Sequence, residues 1–513
     1  MLHPTTRRRW VNAHAALVAG TLAPGVREEL AMSAQNFEDG NFRATAELDS
    51  AAIDSLTASF PTDRANRAAR NAVCSLNVTE AAVDRARARS YHDTFGIELK
   101  SAKTVTGQRH SGRCWIFAAT NVARSHTLSI LDVDDFELSQ NYVQFYDKLE
   151  RANSRLEYII ETADRPWLDR QVSQLMLTPL DDGGQFMFCA NIINKWGVVP
   201  KDEMPDTACS KDTSQMNALL TKLFRKDATV LRRAYAEGKN INELRAMKRE
   251  MLGDFHRILC CCLGEPPLRF NFCCEVGANA DVDKSKVTLS SSPNGGPRKQ
   301  ILRDFNVTPQ EFASRYVRLD PAEYVELTNF PGESRPYRHA YGVRYFDPVI
   351  GGQPLRFLNM PIEYLEKAAV ASLKAGVPVF MMCDVGQNLA RKDPDFSGVL
   401  SLDCMDAGGL FGVDMSQSKA DMIDNRECGM THCMTFQGVE LDSEERPISW
   451  RVENSWGDDF GAQGYIVMTS DWFRMYGGDV VIERRFVSSD VLNLWDSLPL
   501  EQTDYWGGLL AIK

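Results

Sequence analysis

No run of apolar residues in this chain approaches the roughly 18 that a membrane-spanning helix needs, so a soluble protein is expected. Internal repeats and long low-complexity tracts are missing too, which excludes solenoid and fibrous architectures. Basic excess is absent: 58 Lys and Arg against 69 Asp and Glu give 58 − 69 = −11, which offers no global support for nucleic-acid binding. Although there are 13 cysteines, no Cys-x-x-Cys spacing occurs. No histidine is placed to complete a zinc site with Cys260, Cys261, Cys262, Cys273 and Cys274. Their odd total and crowding also make a poor disulfide framework, so a reducing, cytoplasmic setting is expected. The five are read as packing thiols around a helix ending at Leu263. Acidic residues are missing from residues 1–27, which carry Arg7, Arg8 and Arg9. That stretch reads either as a mitochondrial targeting segment, against which its few hydroxyl residues count, or as a disordered tail or a mis-called start.

What is present suits an ordinary globular protein, with 44% hydrophobic and 25% charged residues. A length of 513 residues allows two or three domains, or one catalytic domain with large insertions. The expected division is an N-terminal extension over 1–50, a catalytic domain over 51–486 with a helical insertion at about 201–335, and a C-terminal segment over 487–513. Ser50 to Arg89 reads as helical. A turn-rich loop, Thr104 to Gly112, leads into a helix from Arg113 to Leu131, where Ile116, Ala119 and Ala123 form a buried stripe. Long charged amphipathic helices such as Met216 to Gly238 fill the middle. After Arg335, short apolar runs such as Val379-Phe380-Met381-Met382 predict a β-sheet.

The chemistry begins at Cys114, in the first turn of the predicted Arg113–Leu131 helix. The partial positive charge and free N–H groups of a helix start favour the thiolate, the attacking species in acyl transfer. Gln108, six residues earlier, is placed to return its amide toward the same point and, with the Cys114 N–H, to hold an oxyanion. A nucleophilic thiol needs an imidazole. His126 lies about 18 Å further along the same helix, and His110 has no orienting partner in its loop. His432 opens a strand, a polar turn from Asp442 to Pro447 follows, and Asn454 ends a second strand. Their midpoint, (432 + 454)/2 = 443, falls inside that turn, so a hairpin brings imidazole and carboxamide together. An amide oxygen accepting the ring N–H would set the tautomer and turn the other nitrogen toward Cys114. The plainer readings are a structural thiol and a satisfied core histidine.

These residues carry a family resemblance. Gln108 through Phe117, Met430-Thr431-His432-Cys433-Met434 and Glu453-Asn454-Ser455-Trp456-Gly457 resemble the papain superfamily, and specifically its bleomycin-hydrolase and bacterial aminopeptidase branch. Ser111-Gly112-Arg113-Cys114-Trp115 stands where papain-type enzymes usually have Cys-Gly-Ser-Cys-Trp, as in that branch. The Cys-to-His separation, 432 − 114 = 318, exceeds the usual papain value of about 130 to 150 and leaves room for insertions. Gly183-Gly184-Gln185, Gly197-Val198-Val199-Pro200-Lys201 and Cys383-Asp384-Val385-Gly386 fit the same branch. The likeness runs from about Ala51 to the C-terminus. It implies an α+β papain-like fold: a helical half bearing the nucleophile, packed on an antiparallel β half, with large helical insertions and a C-terminal arm.

The resemblance also implies that the arm ending Tyr505-Trp506-Gly507-Gly508-Leu509-Leu510-Ala511-Ile512-Lys513 folds into the cleft. There the carboxylate of Lys513, or of Ile512 after trimming, would pair with a substrate's free α-ammonium and make the enzyme an aminopeptidase. The arm departs from the usual Asp-Pro-Met-Gly, for which it has Tyr505-Trp506-Gly507-Gly508. The branch implies a homohexamer acting on peptides, and no metal or cofactor. Alternatives are a papain-like endopeptidase and a single-stranded nucleic-acid-binding hexamer. Basic faces for the latter would come from Arg85, Arg87 and Arg89, or from Arg225, Lys226, Arg232 and Arg233.

Overall fold

A computed structural model describes residues 48–100, 105–291, 298–389 and 398–507. It divides into two units, one running to Asn77 together with Leu410–Val413, the other comprising Val78–Gly409 and the residues from Asp414 onward. The first unit carries the helices Ser50–Ser59 and Arg64–Val73, capped by the carboxylates of Asp49 and Asp63. These helices, which the expected division places at the start of the catalytic domain, belong to the first unit. Residues 1–47, including the Arg-rich start, lie outside the described residues.

In the second unit the helix expected at Arg113 starts at Cys114, with Arg113 as its N-cap, and ends at Leu131, after which Asp132 takes a left-handed conformation. Its stripe is fully inside, with Ile116, Ala119 and Ala123 at most 1% exposed. It packs on the strand His432–Leu441, where Thr435 donates to the carbonyl of Ala118 at 3.3 Å. That strand is central to a sheet of eleven strands among the described residues. On one side it pairs antiparallel with Val379–Cys383, which is followed by Gly477–Glu483 and Tyr324–Thr328. On the other it pairs with Pro447–Glu453 and then Tyr465–Thr469. The run Val379–Cys383 is apolar throughout because both faces of the sheet are covered.

The insertion differs from the expectation. Helices Ser214–Ala236 and Ile241–Leu263 pack against Gln140–Glu161, but residues 270–307 form a three-stranded antiparallel sheet, Phe270–Val276, Gln300–Val307 and Val287–Leu289. The alternation in Phe270, Phe272 and Val276, buried on one face, is a two-residue period that the long helices before it overshadowed. Tyr324–Thr328, also inside the expected insertion, belongs to the main sheet. Cys260 and Cys262 pack against the core as half-buried thiols. His256 is nevertheless placed beside them, with its ring 3.7 Å from the Cys260 sulfur one turn on.

Candidate active site

Two elements position the site, the start of the helix Cys114–Leu131 and the hairpin formed by His432–Leu441 and Pro447–Glu453. The loop before the helix is held from several directions. Gln108 accepts from the Ser455 hydroxyl at 2.6 Å, and its backbone N–H donates to the Ser455 carbonyl at 2.7 Å. The Ser111 hydroxyl donates to the Gln108 carbonyl at 2.6 Å. The Gly112 N–H donates to Asp182 at 2.9 Å, and Asp182 pairs with the buried Lys148 at 2.7 Å. Arg113, only 1% exposed, pairs with Asp206 at 2.7 Å, which also accepts from Lys201 at 2.8 Å. A guanidinium so deeply buried would be costly without such a partner. Burial opposes ionisation of Asp182 and Asp206, but the cations outweigh it and hold both carboxyls well below their usual range.

The hairpin register follows the pairs Thr435↔Glu453 and Phe436↔Val452, whose numbers sum to 888 and centre on 444. That lies one residue from the expected midpoint. The residue opposite His432 on this register is Trp456, and their rings lie 5.0 Å apart. Asn454, diagonal to His432, brings its Oδ1 to 2.9 Å from Nε2. The Asn454 oxygen also accepts the Ser455 N–H at 2.7 Å, so it is held facing the ring. Glu453 anchors the strand by pairing with Arg124 at 2.8 Å and accepting from Gln437 at 2.6 Å. His432 also lies beside Cys114, close enough for its charge to act on the thiol.

Cys114 is held well below the ordinary thiol range. The hydrogen bond from the Cys433 thiol is the largest cause, burial opposes it, and the hydrogen bond and charge of His432 add to it. The arrangement is thus a stabilised thiolate, an imidazole set by a carboxamide, and an amide-bearing loop beside them. It can perform nucleophilic acyl transfer with general acid–base assistance. The sequence-predicted Cys114, His432, Asn454 and Gln108 all come together. One N–H of the Gln108 amide donates to the Ser111 carbonyl. Nothing in the spacing pointed to Cys433, Ser455 or the Asp182 and Asp206 anchors. Cys433 and Ser455 carried a signal only as members of the Met430–Met434 and Glu453–Gly457 motifs.

A cavity of about 350 Å³ adjoins Cys114, lined also by Gly184, Met382, Thr431 and Cys433. Tyr505 of the C-terminal segment closes part of it, 5.8 Å from Phe346. That segment runs from the helix Ser489–Ser497 through the strand Leu500–Thr503, parallel to His339–Val343. Arg170 stacks 4.1 Å over the Trp506 ring, and Arg426 donates to the Trp506 carbonyl at 2.6 Å. Lys513 and Ile512 lie outside the described residues. Of the basic cluster on the helix Ser214–Ala236, Arg232 is buried and donates to the carbonyls of Thr162 and Arg165. Arg225 caps Met176 and Leu177, and Lys226 pairs with Asp227.

A cysteine at a helix start, packed on a sheet that supplies a His–Asn pair, defines a papain-like cysteine peptidase. The chain belongs to the Peptidase C1-like family, whose sequence pattern matches residues 47–292 and 295–509. It is 36% identical over 411 residues to aminopeptidase C of Listeria monocytogenes serovar 1/2a, covering 80% of this chain and 87% of that protein. To aminopeptidase W of Lactobacillus delbrueckii subsp. lactis it is 34% identical over 466 residues, 91% of this chain and all of that one. The crystal structure of PepW from Lactobacillus rhamnosis superposes with a TM-score of 0.81 at 33% identity, covering 89% of this chain and 98% of that one.

Proposed function

We propose that this chain is a cysteine aminopeptidase that removes N-terminal residues from peptides, with Cys114 as nucleophile. The carrying observation is His432 held at 2.9 Å by Asn454 and lying beside the Cys114 thiol, whose ionisation it favours. The thiolate attacks the first peptide carbonyl, and the Cys114 N–H and Gln108 amide receive the oxyanion. His432 gives its proton to the departing amine, then takes one from water to release the acyl group. Tyr505 in the cavity behind Cys114 supports an arm that limits the unprimed side to one residue, with the terminal carboxylate of Lys513 or Ile512 pairing with the substrate ammonium. The names of the relatives agree with this reading. A cytoplasmic homohexamer is part of the same proposal. Among the described residues no helix is long and apolar enough to cross a membrane.

The test is fluorophore release from free aminoacyl amides beside their N-acetylated forms, with Cys114→Ala as control. Cleavage of the free amines alone, lost in the variant, is expected. Cleavage of the blocked compounds would make the protein an endopeptidase and remove the role of the arm. Inactivity on both would remove the peptidase reading.

A further inference from the structure

A second thiol, Cys433, stands beside the nucleophile on the same cavity. Cys433 follows His432, and the strand register sets it opposite Met382, so both side chains face the cavity that Cys114 lines. Cys433 and Cys114 line the same cavity and lie close enough for the two thiols to act on each other, and the Cys433 thiol donates to the Gly184 carbonyl at 3.9 Å. The other buried thiols nearby are placed differently. Cys383 packs into the core on the far face of the sheet, and Cys428 does not line the cavity. The cavity, at about 350 Å³, has ample room for a small hydroperoxide, since a water in the liquid occupies about 30 Å³.

We propose that Cys433 is the resolving thiol of Cys114, closing with it a reversible disulfide that silences the enzyme under peroxide and shields the nucleophile from irreversible oxidation. This rests on the reading of Cys114 as the nucleophile. The Cys114 thiolate attacks one peroxide oxygen, the O–O bond breaks, and Cys114 becomes a sulfenic acid while the other oxygen leaves as hydroxide and is protonated to water. The Cys433 sulfur then attacks the sulfenic sulfur. The S–S bond forms, the S–O bond breaks, and the Cys433 proton leaves with the hydroxyl as a second water. Two thiols lose two electrons and two protons, and the peroxide is reduced to two waters. Without a neighbouring thiol, the sulfenic acid is open to a second peroxide and to the sulfinic acid, which thiol reductants do not reverse.

The experiment treats the full chain with hydrogen peroxide in molar excess, so that more than two peroxides are available to each Cys114, blocks remaining thiols, and follows mass, peptides and activity. Activity on a free aminoacyl amide is expected to fall at least about tenfold while the protein becomes lighter by two hydrogens, and dithiothreitol restores both. Trypsin then yields a bridge between the peptide Cys114–Arg124 and the peptide Glu427–Arg451, since Arg446 precedes Pro447 and is not cut. Fragment ions place the bridge on Cys433 and not on Cys428. Cys433→Ala, scored against its own untreated activity, accumulates a Cys114 carrying two added oxygens and does not recover. Cys428→Ala behaves as the parent. Full recovery of Cys433→Ala, a bridge elsewhere, or irreversible loss in the parent overturns the switch while leaving the nucleophile standing. If Cys433→Ala does not fold, the peptide map of the parent decides alone. An untreated protein without Cys114-dependent turnover overturns the peptidase reading, and the switch with it.

Discussion

Replacing Asn454 with Ala removes the oxygen 2.9 Å from His432 Nε2. A hydrogen bond to a charged group contributes about 1.5–3 kcal/mol, and roughly 1.4 kcal/mol is tenfold in rate, so kcat/KM should fall about 10- to 150-fold. The loss should sit in kcat, because Asn454 does not line the cavity; KM is expected to stay within about twofold. Trp456, 5.0 Å from the imidazole, still holds the ring, so the variant remains more active than His432→Ala. The same Asn454 oxygen accepts the Ser455 N–H at 2.7 Å, and leaving that donor unpaired costs about 1–3 kcal/mol of stability. Part of this is offset, because Asn454 Nδ2 is itself buried without a partner. Steady-state kinetics on a free aminoacyl amide, beside a thermal melt, separate the two effects. A loss under about threefold, or a raised KM at unchanged kcat, would refute the orienting role.

Alkylation of Cys114 by iodoacetamide should proceed well below the pH at which an ordinary thiol reacts, because Cys433 and His432 favour its ionisation. His432→Ala should move the midpoint upward, and an unmoved midpoint would sink that account. Asp182→Ala leaves Lys148, 1% exposed, without its carboxylate, and should lower stability by about 3–5 kcal/mol in urea titrations. The depressed Asp182 stabilises the fold above the usual carboxylate range, and that contribution is lost as pH falls through its lower native value. The gap between parent and variant should therefore close only in strong acid. Asp479, buried beside Glu326, is pushed up to about 7 by burial. Being raised, it supports folding at low pH and loses that support as pH rises through about 7. Melts of Asp479→Asn should gain on the parent as pH rises from about 4 to about 7 and hold that gain above it, and a constant difference across that range would count against this sign.

Local physics was readable directly from the chain. The buried stripe of Ile116, Ala119 and Ala123, the helix start at Cys114 and the polar turn between two alternating strands each depend on residues close in sequence, so periodicity and spacing exposed them. The His432–Asn454 pairing followed because a hairpin is a local element whose register its turn sets. The three-stranded sheet over 270–307 escaped because it follows two long helices, and the adjacent Cys273 and Cys274 blur the alternation of Phe270, Phe272 and Val276. Contacts between segments far apart were invisible. Arg113 with Asp206, Gly112 with Asp182, Ser455 with Gln108 and Cys433 with Cys114 join positions 70 to 347 residues apart. The sequence by itself therefore determined which side chains are candidates for the chemistry and the two elements that present them. Only the tertiary structure decided what holds those elements in place and that a second thiol shares the cleft, because packing of distant segments obeys no local period.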